Sequence, residues 1–385
     1  MNRIYLDYSA TTPLAPEVFE AMRPFFIQHF GNASSIHGFG REAKVALDAA
    51  REKMAAALGA QPQEIAFTSG GTEASNMAIL GVAQTFSEPR HIVTSRIEHP
   101  CVLNPCHELE KSGWQVTYVE PDETGLISVN TVAAALRPDT VLVSIMHANN
   151  EVGTINPIAE IAALVTAAEP VEAAAARKII FHTDAVQTFG KLPIEVRKLP
   201  VSLLSLSGHK FYGPKGVGAL YVRRGVKLQP LVFGGHQERE RRAGTENVAG
   251  IVGLGKAVEL AMANQAAESE RLRALTENFG QRVREVFPKA QMNGNAASRL
   301  PAVLNLSFPG FESTALLMSL DLQGIAVSNG SACSSGSVEI SHVLRAMKLP
   351  KDRAVSALRF SFGKYTTEAE VETTLQVLAN VLQKR

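Results

Sequence analysis

Seven short apolar runs, most separated by helical or glycine-rich stretches, constrain this chain more than any other feature. Residues 64–69, 91–95, 116–119, 141–146, 179–182, 203–207 and 219–222 read as strands, and helical patterns such as 158–168 fill several gaps. This alternation predicts a mostly parallel sheet covered by helices, because parallel neighbours need a crossover connection. A length of 385 residues is ample for two domains. From 246 to 287 the pattern is almost wholly helical, and we expect two helices or one kinked helix bridging those domains. Beyond it come a strand at 303–308, a helix at 313–322, a cysteine-bearing loop, a strand at 357–362 and a final helix. The expected fold class is α/β, with a mostly parallel seven-stranded sheet in a large domain and a smaller α+β domain. We expect the large domain to span 15–258, and the small one to combine 1–14 with 259–385. The Ala- and Glu-rich stretch 166–176 reads as a helix end and a surface loop.

Ligands in such sheets bind beyond the carboxyl ends of the strands. Thr72, His99, Asn150, Asp184, Gln187 and Lys210 all follow expected strands, and their convergence says more than any one of them. Lys210 and Asp184 are what pyridoxal 5′-phosphate (PLP) needs. An amine forms a Schiff base with its aldehyde, and a carboxylate keeps its pyridine nitrogen protonated. Taken singly, each has an ordinary explanation, a solvated loop lysine and a turn or cap aspartate. Ser69-Gly70-Gly71-Thr72-Glu73 lies between a strand and a helix. Its glycines let N–H groups approach an anion, and the helix N-terminus favours negative charge. A plain turn capped by Thr72 explains it equally well in isolation. Ser207 and His209 beside Lys210 favour phosphate.

Composition narrows the function. Thirty-eight Lys and Arg against 37 Asp and Glu give a net charge of +1, so no basic field points to direct nucleic-acid binding. The start carries Asp7 and no long apolar core, unlike a secretory signal, and no stretch approaches membrane-spanning length. Cys101, Cys106 and Cys333 are poor material for a disulfide framework and fit a reducing cytoplasm. Cys101 and Cys106 read as packing residues within a helix.

Motifs along nearly the whole chain carry a resemblance. They are YLDYSATTP at 5–13, GNASSIH at 31–37, TSGGTE at 68–73, EH at 98–99, HANNEVG at 147–153 and HTDAVQ at 182–187. SGHKFYGPKG at 207–216, RAGTENV at 242–248, GSACSSG at 330–336, SHVLRA at 341–346 and RFSFG at 359–363 complete the set. The chain resembles cysteine desulfurases of the NifS/IscS kind, class V PLP enzymes of the fold type I transferase class. Most of these motifs are shared with related PLP enzymes; Cys333 in its Ser/Gly-rich loop, followed by SHVLRA, is more specific. Two departures touch no group that the chemistry needs: His236 where close relatives have glycine, and Pro100-Cys101 where a Lys-Ala pair is common.

The resemblance implies roles residue by residue. Lys210 would hold PLP and later move protons. His99 would stack on the ring and assist acid–base steps; outside this context a capping or packed histidine is the better explanation. Asp184 would pair with the pyridine nitrogen, Gln187 would donate to the phenolic oxygen, and Asn150 would lie near the substrate amine. Gly71, Thr72, Ser207 and His209 would hold the phosphate, and Thr245 would do so for the neighbouring subunit of a homodimer. Arg359 would grip the substrate carboxylate in a two-pronged way; its plain alternative is a strand-end surface arginine.

Cys333 sits among Ser331, Ala332, Ser334, Ser335, Gly336 and Ser337, the composition of an exposed loop. A solvated thiol is only partly ionised near neutral pH, with an unperturbed pKa of about 8.5. The resemblance implies that its thiolate attacks the sulfur of L-cysteine and becomes a persulfide, with L-alanine as the other product. Sulfur then passes to an acceptor protein, an iron–sulfur scaffold being the expected partner, toward which Cys333 would be a transient iron–sulfur ligand. Another PLP enzyme of this fold, such as a selenocysteine lyase or an aminotransferase, is the competing expectation. A catalytically silent scaffold is a third, against which Lys210, Asp184 and Cys333 together argue.

Overall fold

The computed structural model describes residues 3–168, 178–330 and 340–383. Strand β1 is Ile4–Tyr5, and the expected strands follow as β2 Ile65–Thr68, β3 His91–Ser95, β4 Gln115–Val119, β5 Thr140–Ser144, β6 Ile180–Asp184, β7 Leu203–Ser207 and β8 Gly218–Val222. The last seven form one sheet in the order β2-β8-β7-β6-β5-β3-β4. β8 runs antiparallel to both its neighbours and every other adjacent pair is parallel. A single reversed strand leaves β2 pointing with the rest, so six strands end at the same edge. β2, β3, β5, β7 and β8 are buried along their whole length, which explains why they read as continuous apolar runs instead of alternating ones.

β6 runs two residues past its expected end because Thr183 and Asp184 pair with Leu204 and Ser205 of β7. That pairing fixes the aspartate on a rigid strand. The helix after β2 is Gly71–Ala83, with Gly70 as its N-cap, so it starts earlier than expected and Thr72 is not the cap. Gly70 has φ +155°, a conformation open to glycine and costly for other residues.

The expected broken helix is one unbroken helix, Val248–Val286, of 39 residues. At 1.5 Å per residue it is about 58 Å long. No proline and no glycine falls between Gly255 and Gly280 to interrupt it. Its first part packs Ile251, Leu254 and Val258 into the core of the large sheet. Its last part packs Leu272, Leu275, Phe279 and Val283 into a second core. There β9 Gln291–Asn293, β10 Val303–Ser307 and β12 Ala357–Ser361 form an antiparallel sheet ordered β12-β10-β9. Helices Ser313–Asp321 and Glu368–Gln383 cover it, and β11 Ile325–Ala326 pairs in parallel with β1.

The N-terminal segment joins the two cores. Ile4 and Leu6 belong to the second. Tyr8 N then donates to Ser361 O (3.2 Å), and Thr12 N donates to His209 O (2.9 Å) at the end of β7. Residues 9–12 thereby run across the sheet edge where the strands end.

Candidate active site

Gly208–Lys210 form one 3₁₀ turn directly after β7. The turn delivers Lys210 Nζ to the carbonyls of Ser9 (2.6 Å) and Ala10 (2.7 Å). Burial draws this amine down to about 8; the charge of Arg359 adds to the effect, and Asp184 and Asp7 oppose it. At that value the amine is still mostly protonated at pH 7, but the neutral form that attacks a carbonyl is far more populated than in an ordinary lysine. Asp184 ends β6 and is buried, with Oδ1 accepting from Val186 N at 2.8 Å. Burial raises its pKa, while the Val186 N–H and the nearby His99 and Lys210 favour the carboxylate.

His99 follows β3 and caps the helix Pro100–Lys111, its Nδ1 accepting from Cys101 N at 3.1 Å. The capping role weighed from sequence is therefore real, yet it uses only one ring nitrogen. The proton of the neutral ring then sits on Nε2. Desolvation disfavours the charged ring, Lys210 and His342 add to that, and Asp184 pulls the other way. Cys101 is buried as expected, but its Sγ also lies 3.8 Å from Asp184 Oδ2. Burial pushes the Cys106 thiol up to about 12, in keeping with a packing role.

Gln187 is buried beside this pair. Its Nε2 donates to Ser9 O (2.9 Å), and its Oε1 accepts from Lys191 Nζ (3.3 Å). Lys191 went unnoticed in the sequence, although it lies four residues beyond Gln187. Burial draws its amine down to about 7, helped by the charges of Lys210 and Arg359.

The turn after β2 lines a cavity of about 440 Å³ with Gly70, Gly71, Thr72, Ser207, His209 and Lys215. A Cβ on Gly71 would come within 2.7 Å of Val186 Cγ2, so only glycine fits there without a shift. His209 Nδ1 lies 3.1 Å from Thr11 Oγ1, and burial holds its ring at about 4. The neutral ring beside a helix N-terminus offers hydrogen bonds, while Lys215 supplies charge.

Arg359, on β12, is 5% exposed and so no surface arginine. Its Nη2 donates to Asp7 Oδ1 (2.7 Å) and its Nη1 to Asn150 O (2.9 Å). Its Nε is buried without a partner, an unspent donor in the guanidinium. Asn150 itself is half-buried on the turn after β5.

This donor set fits PLP: an amine of depressed basicity, a buried carboxyl whose charge acts on that amine, and a glycine-lined cradle at a helix N-terminus. Among the described residues, no group of three or more His, Cys, Asp or Glu side chains is arranged to hold a metal ion.

Residues 4–374 match the model of the class-V aminotransferase family. The chain belongs to that family. It is 52% identical over 384 residues to a protein of Dictyoglomus turgidum named cysteine desulfurase IscS, which covers all of this chain and 95% of that one. It is 49% identical over 386 residues to one of Bacillus subtilis named putative cysteine desulfurase IscS 1, with both chains covered in full. A solved structure titled NifS-like protein is similar with a TM-score of 0.92 and 38% identity over 99% of each chain. Another, titled SspA in complex with cysteine, gives a TM-score of 0.80 and 39% identity over 95% of this chain and all of that one.

Cys333 lies outside the described residues, as does most of the Ala- and Glu-rich stretch, 169–176. Two other residues singled out from the sequence stand apart from the cluster. Thr245 is exposed and is not among the residues that line the cavity. His236 is exposed and bonds Glu240 at 2.8 Å, which makes it a surface residue within this chain.

Proposed function

We propose that this class-V family member is a PLP-dependent cysteine desulfurase, converting L-cysteine to L-alanine and an enzyme-bound persulfide. The observation that carries this is the meeting of Lys210, Asp184 and the Gly70–Thr72 turn at one sheet edge, in a chain alike end to end with proteins named cysteine desulfurase.

Lys210 would hold PLP covalently, and Gly71, Thr72, Ser207 and His209 would hold its phosphate. Bound there, PLP supplies an electron sink that makes the substrate Cα proton removable and weakens the Cβ–S bond. Asp184 would keep a proton on the pyridine nitrogen, and Gln187 would donate from Nε2 to the phenolic oxygen. The amine of Lys210, drawn down to about 8 and so close to physiological pH, is suited to take and return the Cα proton. His99, with its proton on Nε2, would lie over the ring as neutral donor. Arg359 would bind the substrate carboxylate by exchanging Asp7 and Asn150 for it, with Asn150 close to the substrate amine.

Cys333 chooses the reaction. Its thiolate forms the S–S bond as the substrate Cβ–S bond breaks, and Cβ gains a proton, so thiol plus L-cysteine become persulfide plus L-alanine. An acceptor protein then takes the sulfur; we propose an iron–sulfur scaffold, with Cys333 as a transient ligand, in the cytoplasm. We also propose the division into 15–258 and 1–14 with 259–385, supported by the two apolar cores, with Val343, Leu344 and Met347 of the second part packing into the first core. No helix among the described residues is long and apolar enough to cross a membrane.

Borohydride reduction of the PLP-loaded protein followed by peptide mapping should place the cofactor on Lys210. Addition of L-cysteine should release L-alanine and leave one extra sulfur on the Cys333 peptide. Attachment to Lys191 or Lys215, or no L-alanine, would sink the proposal.

A further inference from the structure

Two motif residues without a role in the chemistry above meet inside the fold. Glu151, from HANNEVG, is buried, and its Oε2 accepts from Ser341 Oγ at 2.5 Å. Ser341, from SHVLRA, also accepts from Val343 N (3.1 Å) and so caps the short helix His342–Ala346. The next side chain, His342, places Nε2 2.9 Å from the carbonyl of Glu98, the residue before His99. Gly330, with φ +81°, passes close to the same carboxyl. A Cβ on Gly330 would lie 2.6 Å from the same Oε2. Gly330 N donates to Ser328 Oγ (3.1 Å), and Ser328 exchanges backbone hydrogen bonds with Arg359 (3.2 and 2.6 Å).

One carboxyl group therefore touches chain on both sides of residues 331–339, the stretch that contains Cys333. Glu151 is itself firmly held. Its N–H donates to Asn149 Oδ1 (2.9 Å), and its carbonyl accepts from Asn305 Nδ2 (3.3 Å). It follows Asn150, whose carbonyl accepts from Arg359. Burial pushes the Glu151 carboxyl up to about 7, while the Ser341 hydroxyl and the charge of Arg359 favour the carboxylate. The carboxyl itself has one hydrogen-bond partner, the Ser341 hydroxyl, and Gly330 packs close against the same oxygen.

We propose that Glu151 is a positioning residue for sulfur transfer, fixing through Ser341 and against Gly330 the two points between which the Cys333 stretch is strung. This rests on Cys333 as the sulfur carrier. Gly330 and Ser341 flank that stretch in the sequence, and small displacements of a reacting group cost rate steeply. Glu151 touches neither substrate nor cofactor in this role; it acts through the main chain.

The test uses PLP-loaded Ser341→Ala, Ser341→Thr, Glu151→Leu and Glu151→Gln beside the parent protein. Two rates are followed after rapid mixing with L-cysteine: the absorbance change of the cofactor, and the appearance of sulfur on the Cys333 peptide. Ser341→Ala and Glu151→Leu should leave the absorbance change within about twofold and slow sulfur arrival by about tenfold or more. Ser341→Thr keeps the hydroxyl and Glu151→Gln keeps an acceptor oxygen, so both should recover most of that loss. If Glu151→Leu does not fold, the Ser341 pair decides. Unchanged sulfur arrival in Ser341→Ala, or equal slowing of both rates, overturns the proposal. Sulfur on Cys101 or Cys106 in the parent protein overturns the Cys333 assignment beneath it instead.

Discussion

At the residue scale, two buried carboxyl groups beyond or at the ends of β3 and β6 differ in their surroundings. Burial raises the pKa of Asp184, but the Val186 N–H, His99 and Lys210 all favour its charge. Glu98 accepts from Ser95 Oγ (2.7 Å) and Met146 N (2.8 Å) through Oε1 alone, and its Oε2 has no partner. Burial therefore pushes Glu98 up to about 8, so it is largely a neutral acid at pH 7. Asp184→Asn should keep PLP yet slow L-alanine formation on the order of 100-fold or more, because the pyridine proton loses its counter-charge. Near-parent turnover would mean that Asp184 is not the ring partner. For Glu98 the sign of the pH effect follows from a folded pKa above the ordinary 4.5. The stability it contributes is complete below that value and is lost as pH rises toward 8. Glu98→Gln keeps the acceptor oxygen without the titration. Its melting temperature relative to the parent should rise between pH 5 and pH 9, by about 2 °C or more. A difference independent of pH would show that Glu98 ionises as an ordinary carboxyl.

At the scale of elements, the ion pair beneath the 236–246 segment and the 39-residue helix set what the fold tolerates. Arg51 Nη1 and Nη2 each donate to Glu238 at 2.7 Å, both side chains are buried, and Glu238 Oε2 also accepts from Phe67 N at 3.0 Å. Glu238, Arg239 and Glu240 all have positive φ, which non-glycine residues adopt at a cost, so the pair pins an unfavourable stretch of backbone. Arg51→Ala leaves Glu238 charged and buried alone, and denaturant unfolding should show a loss of about 3–5 kcal/mol. A loss below about 1 kcal/mol would place the pair with ordinary surface bridges. In the long helix Ala266 is exposed midway between the two cores. Ala266→Pro removes a helix hydrogen bond and should cost about 3 kcal/mol, and the unfolding transition should broaden or split as the cores lose their shared element. A single sharp transition at the parent midpoint would mean that the helix does not couple them.

At the scale of the whole molecule, the strands and the residues at their ends were legible because buried parallel strands are written as apolar runs and ligand-facing residues as polar interruptions after them. Asp184, His99, Lys210 and the Gly70–Thr72 turn were found that way. The Ser9 and Ala10 carbonyls that receive Lys210 were not, since backbone acceptors have no letter and lie about 200 residues away in sequence. Lys191 and Glu151 were missed for a related reason: one charged letter does not say whether it is buried. The single helix was expected as two helices or one kinked helix because its apolar face switches cores midway. The least legible contribution is a second copy. Ile36 is 92% exposed and Phe233 81%, and Phe26, Ile27, Phe30 and Phe39 are exposed with them, more apolar surface in neighbouring stretches of chain than a lone subunit needs. Thr245 is exposed as well, while Arg242 nearby pairs with Glu73 of the phosphate helix at 2.9 Å. We therefore expect a homodimer, of about twice the 41.4 kDa chain mass in sedimentation, in which Thr245 serves the partner's phosphate site. Lys210→Ala chains should be inactive, and Thr245→Ala chains should be impaired at limiting PLP. Unfolded, mixed and refolded together, half the dimers would be mixed, each with one intact site, and activity should reach about a quarter of the parent's. If Thr245 serves its own chain, every site in the mixed dimer carries a defect only where its own chain does, and the mixture stays at the sum of its parts.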